Sequence, residues 1–322
     1  MTTSFDRLQF GPSLDIAARS FVGAGPGARA ENQDNFLLVD TTGLAHFLHG
    51  QEHTEQRIPG WTAGHARIAV LDGMGGHGQG REAAEAVVAG LLALPPLTSI
   101  MQLSHQLDAL HTTLQHTFAL DCPAARRPGT TLTMLELPAE QAGMLYHVGD
   151  SRLYELREGR ISVLTVDHVP ATSSAMGGEL GEDEWWSQVH GEHRSQISQA
   201  FILGNAFTDP AELADPLFPL SPDNLPTYLR HLSDRRALEL RPGALYLLAT
   251  DGFWSCADPG AWVGSWPAIL AGSACAKDAC DRLFTAMLER PPPNVHPDNL
   301  TTIVLRPRAS DETALPVLEK DA

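Results

Sequence analysis

Two strand-length runs in this 322-residue chain end the same way, on an aspartate followed by a glycine. Ala66–Leu71 runs directly into Asp72-Gly73, and Ala244–Ala249 passes through Thr250 into Asp251-Gly252. Both runs read as buried strands, so each aspartate projects from the end of a rigid element. One such ending is ordinary; two in one chain favour a shared site over two unrelated turns.

The rest of the pattern surrounds these strands with further strands and helices. Leu14–Val22 and Asn35–Asp40 are of strand length. Apolar residues at 83, 84, 87, 88, 91 and 92 predict an amphipathic helix over Glu82–Leu94. Met101–Leu120 has similar spacing, ended by Pro123 and Pro128. Thr130–Leu137, Gly143–Val148, Arg152–Arg157 and Ile161–Val166 are short strand-like runs that read as one antiparallel meander, with Glu158-Gly159 as a hairpin turn. Two helical stretches, about 259–271 and 274–289, follow the second strand–Asp–Gly run. Pro291-Pro292-Pro293 breaks the last, and Leu300–Leu305 is a final strand. This order predicts an α+β fold with two sheets sandwiched between helices.

Two stretches lack such patterning. Residues 41–65, rich in His, Gly and Thr, read as a long inserted loop serving as decoration or a partner surface. Its histidines (His46, His49, His53, His65) are too irregularly spaced for a metal site. Residues 169–235 read as irregular, with some helix near 181–203 and an exposed-looking Trp185-Trp186 pair. The tail after Arg308 is polar and expected to fray.

Composition narrows the function classes. The 39 acidic against 22 basic residues give a formal charge of −17, which disfavours nucleic acid and anionic lipid as partners. Most of this excess is read as solubility; part of it can hold divalent cations, which reverse the local field. The four cysteines, Cys122, Cys256, Cys275 and Cys280, form no C-x-x-C pair and no disulfide framework. The amino terminus lacks a signal-peptide pattern and no apolar run is of membrane-spanning length, so the chain reads as cytoplasmic, with a monomer favoured.

The candidate chemistry lies in scattered acids. Asp72 precedes Gly73-Met74-Gly75-Gly76-His77-Gly78, where glycines let backbone approach a ligand closely. A hard cation prefers such oxygen donors; a glycine turn with an aspartate capping the next helix explains Asp72 alone equally well. Asp298-Asn299, before the last strand, reads as a ligand pair or a turn. Asp150, in His147-Val148-Gly149-Asp150-Ser151-Arg152, reads as a ligand or as an ion-pair partner of Arg152. The Arg29-Ala30-Glu31-Asn32-Gln33-Asp34 segment offers an arginine fork suited to phosphate.

Taken in order, these motifs, together with Gly129-Thr130-Thr131, Leu164-Thr165-Val166-Asp167-His168 and Ala249-Thr250-Asp251-Gly252-Phe253, resemble the metal-dependent protein phosphatases of the PPM (type 2C) family in their bacterial form. The resemblance runs from about residue 15 to 306 and implies one phosphatase domain over 1–308, with 309–322 as a polar tail. It implies a four-layer α-β-β-α sandwich and a centre of two Mn2+ or Mg2+ ions, with a third, weaker ion. Asp72 would bridge the pair, the Gly73 carbonyl would bind one ion, and Asp251 and Asp298 would complete the other's ligands. Asp150 with Asp251 would hold the third ion. Asp34 would hold a metal-bound water, Arg29 would contact the substrate phosphate, and Thr130 and Asn299 would brace the site. The implied reaction is hydrolysis of phosphoserine or phosphothreonine by a metal-bridging water, on phosphorylated proteins, opposing a bacterial Hanks-type kinase.

The chain departs from the family in places. Gln33 stands where many members have Glu, and Met74 stands where eukaryotic members have a His proposed as general acid. His77 reads as a loop-stabilising residue rather than a proton donor. Residues 169–208 occupy the position of the family's variable flap. An alternative reading is a non-catalytic, phosphatase-like binding or regulatory module, and a third is hydrolysis of a small phosphorylated metabolite.

Overall fold

The structure is a computed structural model and describes residues 7–23, 28–75, 79–119, 127–192, 196–209 and 213–308. The chain begins with strands β1 (Leu14–Phe21), β2 (Asn35–Val39), β3 (Leu44–His49), β4 (Glu52–Arg57), β5 (Ala66–Leu71) and the short β6 (Gly73–Met74). Helices α1 (Gly80–Ala93) and α2 (Ile100–Ala119) follow, then β7 (Gly129–Thr130), β8 (Leu132–Leu137), β9 (Gly143–Val148), β10 (Arg152–Arg157) and β11 (Arg160–Val163). Next come α3 (Pro170–Met176), α4 (Glu182–His190), β12 (Gln199–Ala200), β13 (Gly204–Asn205), β14 (Arg235–Leu238) and β15 (Leu245–Ala249). The last elements are α5 (Pro259–Leu270), α6 (Ala276–Glu289) and β16 (Leu300–Pro307).

Two antiparallel sheets form the centre. One has seven strands in the order β14-β9-β8-β5-β2-β3-β4, the other five in the order β1-β16-β15-β10-β11. Alternation along β5 shows how the layers form, since successive strand side chains point to opposite faces. Ile68 and Val70 pack between the sheets with Leu153, Tyr246, Leu248 and Ile303. Ala69 and Leu71 face outward onto α1 and α2, against Val87, Leu91, Leu103 and Leu107. The outer face of the five-stranded sheet, with Leu247, Ala249 and Val304, is covered by Trp266, Leu283 and Phe284 of α5 and α6. The result is the expected α-β-β-α sandwich.

Arg67 breaks the apolar run of β5 for a structural reason. Its fully buried guanidinium pairs with Glu136 of β8 at 2.6 Å and donates to the carbonyls of Leu91, Leu94 and Pro95. It thereby satisfies carbonyls at the C-terminal end of α1 that the helix itself leaves open. This contact fixes the C-terminal end of α1 to the sheet.

Three expectations are corrected. Residues 41–65 are not a loop: β3 and β4 form a hairpin that extends the seven-stranded sheet. Asn35 closes it from the neighbouring strand, exchanging two hydrogen bonds with Leu48. Secondly, the four-strand run over 130–166 is not one meander. β8–β9 belong to the seven-stranded sheet and β10–β11 to the other, so the chain changes sheets at Gly149-Asp150-Ser151. Thirdly, 169–235 carries a small apolar core of its own, with Val166, Ala175, Trp185, Leu220 and Leu229. Trp185 is buried at 1% exposure; Trp186 is the exposed member of that pair, at 51%. Cys256 and Cys280 are buried and Cys275 caps α6. Cys122, His77 and the tail after residue 308 lie outside the described residues.

Candidate functional site

Strand register carries the acids to one end of the sandwich. Asn35 pairs with Leu71, so Asp34 and Asp72 leave neighbouring strands at the same edge. Ala249 pairs with both Arg152 and Thr302, which places Asp150, Asp251 and Asp298 beyond the corresponding ends of β10, β15 and β16. Five separate chain segments thus each supply one carboxylate.

The acids interact electrostatically. Loss of solvent holds the Asp72 carboxyl well above its ordinary range, and the charges of Asp34, Asp251, Asp150 and Asp298 push it the same way. Burial raises Asp34 to about 8, against the opposing hydrogen bonds of Thr301 and Thr250. Burial, then Asp251 and Asp167, raise Asp150. Like charges gathered in a poorly solvated space resist ionisation in this way. Arg29 meets the cluster from the rim, its fork bidentate on Asp298 at 3.0 and 2.8 Å. That hydrogen bond is the main cause of the raised Arg29 pKa.

Asp34 and Asp251 are each held by a neighbouring hydroxyl. The Thr250 hydroxyl donates to Asp34 at 2.8 Å, tying the start of β2 to the end of β15 across the sheets. Asn299 accepts from the Gln33 amide at 2.8 Å and donates to the carbonyls of Val22 and Glu31. Ser255 donates to Asp251 at 3.2 Å. The two acid loops of the five-stranded sheet touch backbone to backbone: a Cβ on Gly252 would lie 2.0 Å from the Asn299 carbonyl oxygen. Only glycine permits that approach, which accounts for the Asp-Gly pair after β15. Gly73 is equally confined, between the carbonyls of Gly80 and Gln33.

One bracing role differs from expectation, that of Thr130. Thr130 pairs with Gly73 through its backbone, and its hydroxyl donates to the Thr131 carbonyl rather than to the site. The hydroxyl that braces Asp72 is that of Thr131, which accepts from the Asp72 amide at 2.9 Å and bonds Ser151 at 2.7 Å. Neighbouring strand residues face opposite ways, a signal that separates the two threonines once the strand is placed. Gln33 donates its side-chain amide to Glu31 at 2.9 Å. Arg152 forms its ion pair with Asp167, at 2.7 Å, and not with Asp150.

The donor set suits a hard divalent cation. It is all oxygen, and five carboxylates against one arginine leave negative charge for such an ion to offset. Among the described residues, no three acidic, His or Cys side chains already converge on one point; Asp298 is engaged by Arg29 instead.

Comparison with solved structures places this architecture. A Streptococcus agalactiae serine/threonine phosphatase superposes over 92% of this chain and all of its own, with a TM-score of 0.63 at 19% identity. The Mycobacterium tuberculosis serine/threonine phosphatase PstP/Ppp covers 92% of this chain and 99% of its own, with a TM-score of 0.59 at 24% identity. The PPM Ser-Thr phosphatase MsPP of Mycobacterium smegmatis, solved in complex with cacodylate, gives a TM-score of 0.56 at 22% identity, over 92% and 99% of the two chains. This chain has the PPM phosphatase fold. Among curated proteins, M. tuberculosis PstP is 35% identical over 125 residues, 38% of this chain. A putative type 2C phosphatase of Streptococcus pyogenes is 30% identical over 122 residues, 36% of this chain. The matches span 24% and 49% of those relatives' own lengths. No family model matches the chain. In this PPM fold the acid cluster stands at one end of the central sandwich, and no helix among the described residues is long and apolar enough to cross a membrane.

Proposed function

We propose that this chain is a metal-dependent serine/threonine protein phosphatase. The observation that carries the reading is the meeting of Asp34, Asp72, Asp150, Asp251 and Asp298 at one end of a PPM fold, with Arg29 at its rim. The identity to PstP and a PstP structure described as a complex with two manganese ions support it.

Asp72, the Gly73 carbonyl, Asp251 and Asp298 would hold two Mn2+ or Mg2+ ions, and Asp150 with Asp251 a weaker third. When bound, such ions make water nucleophilic at neutral pH and offset charge on phosphoryl oxygens. The protein's own residues do the rest. Arg29, with its side chain 57% exposed, can reach a phosphate and clamp two of its oxygens. Thr131 and Thr250 keep Asp72 and Asp34 on the ends of their strands. Met74 offers no proton to a leaving alkoxide. Substrates would be phosphorylated proteins, and the chain would act in the cytoplasm against a serine/threonine kinase.

Release of phosphate from a phosphothreonine peptide, with a phosphotyrosine peptide as control, tests the reading. Preferential release from the first supports it; no release from either at saturating Mn2+ overturns it.

A further inference from the structure

The chemistry assigned above leaves Arg152 unused, although it is among the largest fully buried side chains of the molecule. Its guanidinium joins β10 to three other segments of the chain. It pairs with Asp167 through Nε at 3.0 Å and NH2 at 2.7 Å. The same NH2 donates to the Val189 carbonyl, at the end of α4, at 2.7 Å. Its plane lies 3.5 Å from the Trp254 ring centre, three residues after Asp251. On the far side, the Asp167 carbonyl accepts from the Thr172 hydroxyl of α3, which accepts from the Trp185 indole of α4.

The three partners of the guanidinium, Asp167, Val189 and Trp254, line a cavity of about 260 Å³. Asp150 of the acid cluster lines it as well, and α4 contributes Ser187, Gln188 and Val189. The cavity therefore opens against the acid site, and its outer wall is the helix that Arg152 grips. A planar fork with several donors can hold a carboxylate, a carbonyl and an aromatic face at once, whereas a lysine ammonium of similar reach engages one partner well.

We infer that Arg152 is a positioning residue: by clamping α4 it sets the width of the cavity beside Asp150, where the side chains flanking a phosphorylated residue lodge. The substrate half of this inference rests on the phosphatase reading; the clamp itself does not. Loss of the clamp weakens binding of a peptide on both sides of the reaction coordinate, and so raises KM while leaving kcat in place. A small aryl phosphate does not fill the cavity and is spared.

The test compares the full chain with Arg152→Lys, which keeps the charge opposite Asp167, and with Thr172→Val, which cuts the second tether and leaves the ion pair whole. Hydrogen exchange should show faster exchange confined to residues 182–190 in both variants. KM for a phosphothreonine peptide should rise about tenfold with kcat held within about threefold, and p-nitrophenyl phosphate should show no matching KM increase. Unchanged exchange over 182–190 in both variants overturns the clamp. Equal losses of kcat for both substrates overturn its assignment to peptide binding. If wild-type protein hydrolyses neither substrate, the phosphatase reading and the substrate half fall together, and the exchange measurement still decides the clamp.

Discussion

Arg29 and Asp298 face each other as a two-point ion pair, Nε to Oδ1 at 3.0 Å and NH2 to Oδ2 at 2.8 Å. One partner is the cation proposed for phosphate and the other a carboxylate proposed for metal. A metal ion and Arg29 therefore compete for the same pair of carboxylate oxygens.

Arg29→Ala removes that competition. The pair is half open to solvent, so its contribution is limited to about 1 kcal/mol or less. Affinity for Mn2+, measured by calorimetry, should rise by no more than about fivefold. KM for a phosphorylated substrate should rise at the same time, because the phosphate loses its clamp. Weaker Mn2+ binding in the variant would contradict the competition.

Thr131 is expected to matter more than Thr130. Its buried hydroxyl serves both the Asp72 amide and Ser151. Thr131→Val leaves those groups without it and should cost about 1–3 kcal/mol in denaturant unfolding. Thr131→Ser should restore most of this. Thr130→Val, which frees only the Thr131 carbonyl, should be the milder change.

Glu136 gives the fold an acid limit. Burial pushes its carboxyl up, but hydrogen bonds from Arg67 and His65 outweigh this and hold it below its ordinary 4.5. A carboxyl depressed on folding stabilises fully above its unfolded pKa and ceases to do so as pH falls through the folded value. Glu136→Gln should lower stability by about 3–5 kcal/mol near neutral pH, because buried Arg67 loses its counter-charge. Its melting temperature should also fall less steeply than wild type on acidification below the ordinary value. Parallel curves for the two proteins would rule this out.

Much of the fold was legible because burial on two faces leaves a plain mark. Ala66–Leu71 and the apolar runs at 143–148 and 245–249 are strands where their composition places them. β4 was hidden because it is an exposed edge strand, Glu-His-Thr-Glu-Gln-Arg, with almost no apolar residue to show alternation. The change of sheet at Gly149-Asp150-Ser151 was equally silent, since a hairpin and a crossover use the same small residues. Asp34, Asp72, Asp150, Asp251 and Asp298 were recognisable as a set through motif order. Apart from Asn299, their braces were not, for Thr250–Asp34 and Thr131–Asp72 join residues 216 and 59 positions apart, and only packing selects such partners.

The carboxylates at the end of the sandwich are proposed to work as one divalent-cation site in phosphate hydrolysis. Hydrolysis of p-nitrophenyl phosphate, followed with Mn2+ and with excess chelator in wild type and Asp251→Ala, tests it most directly. Turnover should require Mn2+ and fall by more than about a hundredfold in Asp251→Ala, beyond what loss of a supporting partner produces. Full turnover in chelator, or an Asp251→Ala protein as active as wild type, would rule out a catalytic metal site at these carboxylates.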